Sequence, residues 1–402
     1  MSVKARLTSL AAALLLAACA PAEPPKVPGP PSVVQTETQV ITPDEGTTLR
    51  ELRARGERAL REQRWKEAAD AFQTLLAAAK VVDDPQRAVY LLDLGLATEA
   101  LGDRARARDA YAEVAQRFPL SADARTALLR GIAVDDYLED WPHLGEAGAG
   151  LLARPDLDDV DRLTGLGARA LAHIEAGDDV TSMRDIQEGL DVVDRIGFGA
   201  TGRLPNGAAQ LRFALAEVRR VRSERTQFTP ASTSSLPTPI DPRDFLLKIE
   251  MRCTGLLEAQ SAYTDAMRAM EPHWTAMSAY RIGVMYGKLH EDLMAIPPTA
   301  QAKTDSDRQL FFAMMHVRYR VLLEKGLEMM KRTANLETQT TEVGPWIERA
   351  RAAQAEMEKA IADEKALLAK LPYSEETVEG ALKDLEKRTL ARQAKEAKAQ
   401  GH

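Results

Sequence analysis

Residues 56–72 read GERALREQRWKEAADAF, and residues 95–111 read GLATEALGDRARARDAY. A glycine, an alanine and an aromatic residue recur 39 positions later, in the pairs Gly56 and Gly95, Ala68 and Ala107, and Phe72 and Tyr111. Self-similarity at a fixed period of this size indicates a stack of repeated units, each too small to bury its own apolar face. These two runs therefore predict a repeat architecture.

The type of repeat follows from where the small and large residues stand. A small residue on one helix that meets an aromatic residue on the next is typical of a tetratricopeptide repeat, whose unit has about 34 residues. A turn at residues 81–85 accounts for the longer period. We expect the glycines and alanines to let paired helices approach closely, while Trp65, Phe72 and Tyr111 fill the gap towards the neighbouring unit.

The pattern weakens after the second unit. A third unit is predicted at residues 122–155, with Trp141 near the place that Trp65 holds in the first, and a fourth at 163–195. Glycines at 145, 148 and 150 weaken the helical pattern of the third unit. The whole array is predicted to span residues 49–226.

A second helical region follows. Residues 227–242 are rich in Pro, Ser and Thr, which predicts a linker, and residues 243–402 form a C-terminal helical domain. Its helices are expected to begin at Pro or acidic residues near 242, 272, 305, 345 and 375. The predicted fold class is therefore all-α, an N-terminal tetratricopeptide-like α-solenoid followed by a second all-helical region.

The first residues indicate export and anchoring. A basic start and a short apolar run predict a signal peptide at residues 1–18, too short to span a bilayer permanently. Leu16-Ala17-Ala18-Cys19 resembles a bacterial lipobox, which implies cleavage before Cys19 and acylation of that residue. The alternatives are an ordinary signal with an incidental cysteine, or an uncleaved anchor. Residues 19–48 are rich in Pro and predict a semi-rigid tether.

Several other functions find little support in the sequence. The formal net charge of −7 argues against nucleic acid. Residues 197–202 match a dinucleotide-binding fingerprint, but the preceding segment is helical and turn residues follow, so an inter-repeat loop is the better interpretation. His290-Glu291 resembles the start of a zinc-protease motif, yet Met294 stands where the second histidine belongs. We predict no catalytic residue, no metal site and no cofactor.

Two composition features admit more than one interpretation. Ten of the 13 methionines lie between Met251 and Met330, either as an adaptable binding surface or as flexible filling of a helical core. The core interpretation is favoured. The basic cluster at residues 219–225 is interpreted as a solvated helix end and not as a lipid-headgroup site.

A lipobox, a proline-rich tether and repeats together resemble outer-membrane lipoproteins with tetratricopeptide repeats. The likeness is closest to the repeat lipoproteins of the adventurous gliding machinery of myxobacteria. It lies in residues 279–286 (AYRIGVMY), in Pro297-Pro298, and in Tyr319 with residues 323–326 (LEKG). The lipoprotein subunit of the outer-membrane β-barrel assembly machine shares the anchor and repeats, but it lacks a large second half.

The resemblance implies a non-enzymatic scaffold that binds envelope or outer-membrane proteins from the periplasmic face of the outer membrane. Its contact with the bilayer would be the acylated Cys19. The alternatives are a lipoprotein like that of the β-barrel assembly machinery, or an envelope enzyme that acts on peptidoglycan and carries repeats.

Overall fold

The computed structural model describes residues 49–78, 86–197, 204–228, 242–298, 302–338 and 344–400. All regular secondary structure in these ranges is helical, which confirms the predicted all-α fold class. None of these helices is both long and apolar enough to cross a membrane. The predicted signal peptide, Cys19 and the predicted tether lie outside the described residues.

Nine helices make up the region predicted as the array. Consecutive helices pack against each other in chain order. Their bounds, from α1 to α9, are Leu49–Arg61, Trp65–Ala77, Arg87–Ala100, Arg104–Arg117, Ala122–Leu138, Trp141–Leu152, Asp159–Glu175, Asp179–Ile196 and Asn206–Glu224. The first eight form four helix pairs, and α9 follows the last pair.

The turn inside each pair has the same backbone form. One residue adopts a left-handed conformation in every pair, at Gln63, Gly102, Glu139 and Gly177, with φ between 56° and 85°. In the last three pairs the next residue is an aspartate that caps the second helix by accepting a hydrogen bond from a backbone N–H. The third and fourth pairs therefore keep the geometry of the first two, and the array is an α-solenoid.

Five longer helices follow the array. Their bounds, from α10 to α14, are Pro242–Met267, Pro272–Met294, Asp305–Ala334, Gly344–Leu368 and Glu375–Gln400, with a 3₁₀ turn at Asn335–Thr338. Helix α10 lies along α9, and α12 packs against both α11 and α13. Local sequence explains two of the starts: Glu271 caps α11, which has Pro in its first turn, and Thr304 caps α12 in a capping box.

The hydrophobic core runs through both halves of the chain. One cluster of buried side chains extends from Leu128 on α5 to Ile347 on α13. Tyr137 of α5 stacks on His273 of α11, with ring centroids 5.8 Å apart. Most of the predicted linker lies outside the described residues, while the helices before and after it, α9 and α10, share this core.

Candidate functional site

The predicted glycine and aromatic positions face each other across the first two helix pairs. A methyl group added to Gly56 would stand 2.9 Å from ring carbons of Phe72, and one added to Gly95 would stand 2.3 Å from Cε1 of Tyr111. Carbon atoms in van der Waals contact stand about 3.5–4.0 Å apart. Each ring therefore occupies the space that any larger residue would need, and the glycine is required for the close approach.

The other predicted repeat residues lie beside these contacts. Ala68 and Ala107 are fully buried, and Trp65 is half-buried at the first position of α2. Phe72 also belongs to the hydrophobic cluster that includes Tyr90 of the next pair. The repeat residues thus build the helix packing, and one of them, Tyr111, also lines the groove described next.

A groove of about 280 Å³ opens between α4 and α6. Its α5 residues are buried, whereas several of those on α4 and α6 are half-buried or exposed, so α5 forms the floor and the other two helices form the walls. Small residues line much of it, among them Ala112, Ala115, Ala127, Gly131, Ala147 and Gly150. Small side chains leave room for another backbone to approach the walls closely.

The polar end of the groove contains a buried acid with an unpartnered oxygen. Asp135 of α5 lines the groove, is 3% exposed, and has no hydrogen-bond partner for its Oδ1 atom among the described residues. The two nearby basic side chains are held by another acid. Arg108 Nη1 lies 2.8 Å from Asp140 Oδ2, and His143 Nδ1 lies 2.8 Å from Asp140 Oδ1. Arg108 and His143 are therefore paired with Asp140, and Asp135 is left without a direct counter-charge.

Burial sets the protonation of this acid. Desolvation and the nearby charge of Asp140 raise the pKa of Asp135 to about 7, and His143 and Arg108 oppose the shift only in part. An ionised carboxylate left unpaired at such a site costs stability. Ionisable groups that lie in a cleft and have a strongly shifted pKa are candidates for binding or catalysis. We therefore regard the α4–α6 groove as the candidate functional site.

Replacing Asp135 by Asn tests this cost. The folded-state pKa of about 7 lies above the unfolded value of about 3.9, so ionisation destabilises the fold increasingly between these pH values. We expect Asp135→Asn to raise the free energy of unfolding at pH 8 by on the order of 2 kcal/mol, and to change it little at pH 4. Urea unfolding followed by circular dichroism measures both.

Asp109→Asn is the matched control, because Asp109 is exposed on α4 and its pair with Arg108 is at the surface. We expect little change from it at either pH. An equal effect of Asp135→Asn at pH 4 and pH 8 would contradict the assignment, since it would not depend on ionisation.

Sequence spacing predicts no metal site because the histidines are scattered along the chain. The structure nevertheless brings His290 of α11 and His316 of α12 beside Glu364 of α13. Burial raises the pKa of Glu364, but the two imidazoles outweigh it and lower that pKa to about 2. His290 and His316 therefore lie together although they belong to different helices, a pairing that no local pattern reveals.

The glycine-rich segment at 197–202 is described only at its first residue. Gly197 ends α8 in the left-handed conformation, with φ of 71°, and the rest lies outside the described residues. The element before it is a helix, whereas a dinucleotide fingerprint follows a strand. The interpretation as an inter-repeat loop stays a prediction.

No protein-family model and no curated protein matches the chain. Among solved structures, a tetratricopeptide repeat protein from Parabacteroides merdae aligns at 11% identity and a TM-score of 0.39, covering 77% of this chain and 98% of that one. A TPR repeats protein from Bacteroides fragilis aligns at 12% identity and a TM-score of 0.26, covering 78% of this chain and 100% of that one. Yeast Tom70 aligns at 12% identity and a TM-score of 0.25, covering 80% of this chain and 68% of that one. The α-solenoid assignment rests on the helix pairs and turns of the chain itself.

Proposed function

We propose that the chain is a non-enzymatic scaffold, which binds an amphipathic helix of a partner protein in the α4–α6 groove. The all-α solenoid is a fold class that presents extended surfaces for protein–protein interaction. The observation that carries the proposal is Asp135, a buried carboxylate with an unpartnered oxygen in a groove lined by alanine and glycine.

The groove determines the chemistry of the partner. Two helices flank a third at its floor, a shape that receives a helix through apolar side chains at i, i+3, i+4 and i+7. The alanine-lined walls favour a partner with compact apolar residues on that face. A lysine or arginine on the same face would meet Asp135 and supply the positive charge that it lacks, because the nearby basic side chains pair with Asp140.

A peptide display library tests the proposal even though the partner is unidentified. The folded chain, immobilised at pH 7.4, selects from a library of helical peptides with variable positions. Selection is repeated on Ala147→Trp, which fills the groove from the α6 wall, and on Ala149→Trp. Ala149 is exposed on the same helix and does not line the groove, so it controls for the added indole.

We expect enriched peptides to carry an apolar face with one basic residue. Their binding should be lost with Ala147→Trp, weakened at least tenfold with Asp135→Asn, and retained with Ala149→Trp; a tenfold loss corresponds to about 1.4 kcal/mol. Enrichment of the same peptides by the wild type and by Ala147→Trp would refute the groove as the binding site. Enriched peptides without a basic residue would refute the role of Asp135.

We further propose that the scaffold acts at the periplasmic face of the outer membrane, anchored through acylated Cys19. The lipobox-like sequence before Cys19 and the proline-rich segment after it support this proposal. Two or more acyl chains hold a protein stably at a bilayer. The partners would then be envelope proteins. The resemblance to gliding lipoproteins makes a motility complex the first assembly to test.

Replacing Cys19 by Ala tests the anchor. We expect the variant to leave the outer-membrane fraction and to lose incorporation of a labelled fatty acid, because the cysteine of the lipobox-like sequence is gone. Cys253→Ala is the matched control, since Cys253 is the only other cysteine and is half-buried on α10. Cell fractionation and labelling measure both, and membrane retention of Cys19→Ala would speak against lipidation.

A further inference from the structure

Three potential metal ligands from three helices converge beneath the C-terminal helices. They are His290 near the end of α11, His316 on α12 and Glu364 on α13. His290 Nε2 lies 2.8 Å from Glu364 Oε1, and His316 Nδ1 lies 2.9 Å from the same oxygen. Their side chains are only 8%, 15% and 7% exposed. Among the described residues, these three are the group of His, Cys, Asp and Glu side chains close enough to hold one metal ion.

Hydrogen bonding leaves part of this cluster unsatisfied. His316 is hydrogen-bonded to Glu364 Oε1. His290 Nε2 lies 2.8 Å from that oxygen, but it has no hydrogen-bond partner among the described residues. Buried polar atoms without partners are rare in folded proteins, and a bound ion is one of the recognised explanations.

We propose that His290 Nε2, His316 Nδ1 and Glu364 Oε1 bind a divalent transition-metal ion, with zinc as the preferred ion. Two imidazole nitrogens and one carboxylate oxygen form a donor set that zinc accepts, with water in the fourth position. Calcium needs six to eight oxygen ligands and magnesium an octahedron of oxygens, so a site with one carboxylate is unsuited to either.

The distances permit this with small movements. The three ligand atoms lie within 4.8 Å of one another. Around tetrahedral zinc, with bonds of about 2.0–2.1 Å, ligand atoms stand roughly 3.3 Å apart. Glu364 Oε1 would move away from the two nitrogens by a few tenths of an ångström, and the lone pair of His290 Nε2 would point at the ion and no longer lack a partner.

Arg320 lies near the second oxygen of the Glu364 carboxylate without a hydrogen bond to it. Arg320 Nε lies 3.9 Å from Glu364 Oε2, and Arg320 Nη1 lies 2.9 Å from Glu375 Oε1. Because Glu375 shares the charge of Arg320, the repulsion between the guanidinium and a bound cation is reduced.

The expected role is structural. The ligands come one each from α11, α12 and α13, so a bound ion would join three helices that also share an apolar cluster. Glu291, which follows His290, is exposed and faces Lys288 at 3.7 Å. It therefore does not stand beside the ligand set as a general base would.

Zinc titration of the chain, prepared without a polyhistidine tag and stripped with a chelator, tests the proposal. We expect native mass spectrometry to show one zinc per chain and the melting temperature to rise by several degrees, because an ion that binds only the folded state stabilises it. Magnesium and calcium should produce no rise. His316→Gln and Glu364→Gln should abolish both effects, while His173→Gln, whose histidine lies on α7, should retain them.

Circular dichroism at 25 °C confirms that each variant is folded before titration. Should His316→Gln not fold, His290→Gln provides the same test from another helix. Absence of a zinc adduct and of a melting shift at a hundredfold excess of zinc would overturn the proposal. So would zinc binding that survives in Glu364→Gln and His316→Gln, because the ion would then sit elsewhere.

Discussion

Replacing Gly95 by Ala is expected to lower the free energy of unfolding by about 2–3 kcal/mol, although alanine is the better helix former. The new methyl group would stand 2.3 Å from Cε1 of Tyr111. Tyr111 is 1% exposed and its hydroxyl donates to Glu99 Oε2 at 2.6 Å, so the ring cannot move aside freely. Urea unfolding measures the change, and Gly95→Leu should prevent the array from folding.

Gly131 provides the matched control because it faces the same tyrosine from α5. A methyl group there would lie 3.8 Å from Cβ of Tyr111, an ordinary contact distance. We expect Gly131→Ala to raise stability by about 0.5–1 kcal/mol, the helix-propensity gain without the clash. The double variant Gly95→Ala, Tyr111→Leu should lose less free energy of unfolding than its two single variants lose together. Additive losses would show that the ring is not the obstacle.

The repeat architecture could be predicted because its signals are local. Gly95 and Tyr111 are separated by one tight turn, so a fixed spacing along the sequence reports a contact in space. Proline and acidic residues likewise mark helix starts, as at Pro272 and Asp305. Each of these features depends on a few neighbouring residues and not on the assembled fold.

The glycines of α6 show where local interpretation fails. A glycine inside a helix predicts a less stable helix, because fixing its backbone costs more entropy. A methyl group added to Gly148 would stand 2.9 Å from the carbonyl oxygen of Gly165 on α7. The glycine permits two backbones to approach closely, and the partner that explains it belongs to the next helix pair.

The candidate site could not be predicted because it depends on tertiary pairing. Asp135 looks like any acid on a helix until the fold shows that Asp140 holds the nearby cations. His290 and His316 belong to separate helices that only packing brings together. Charge and spacing along the sequence carry no record of which partner a side chain finds.

The basic cluster at residues 219–225 is predicted from the sequence to be a solvated helix end, and Arg220 departs from that prediction. Arg220 Nη2 lies 2.5 Å from Oε2 of Glu217, a residue with no exposed surface. The other oxygen of Glu217 accepts from the Tyr263 hydroxyl at 2.5 Å and lies 3.2 Å from Arg281 Nε. One acid thus joins α9, α10 and α11.

Replacing Glu217 by Gln is expected to cost about 3 kcal/mol at pH 7, because two partly buried arginines lose the fully buried counter-charge that they share and each keeps one other acid. The exposed pair of Glu188 and Arg162, 3.5 Å apart, provides the control. Glu188→Gln should cost less than about 0.5 kcal/mol. Urea unfolding at pH 7 measures both variants against the wild type.

The dependence on pH separates the lost charge from altered packing. Burial raises the pKa of Glu217, but Arg281 and Arg220 outweigh it and leave the pKa below its usual value. Its contribution to stability is therefore complete above the unfolded pKa of about 4.3, and it is lost as pH falls through the lower folded value. The difference in free energy of unfolding between the wild type and Glu217→Gln should become smaller from pH 7 to pH 3, because the protonated acid resembles the amide. A gap that stays constant would mean that the amide disturbs packing, and that the ion pairs do not hold α9, α10 and α11 together.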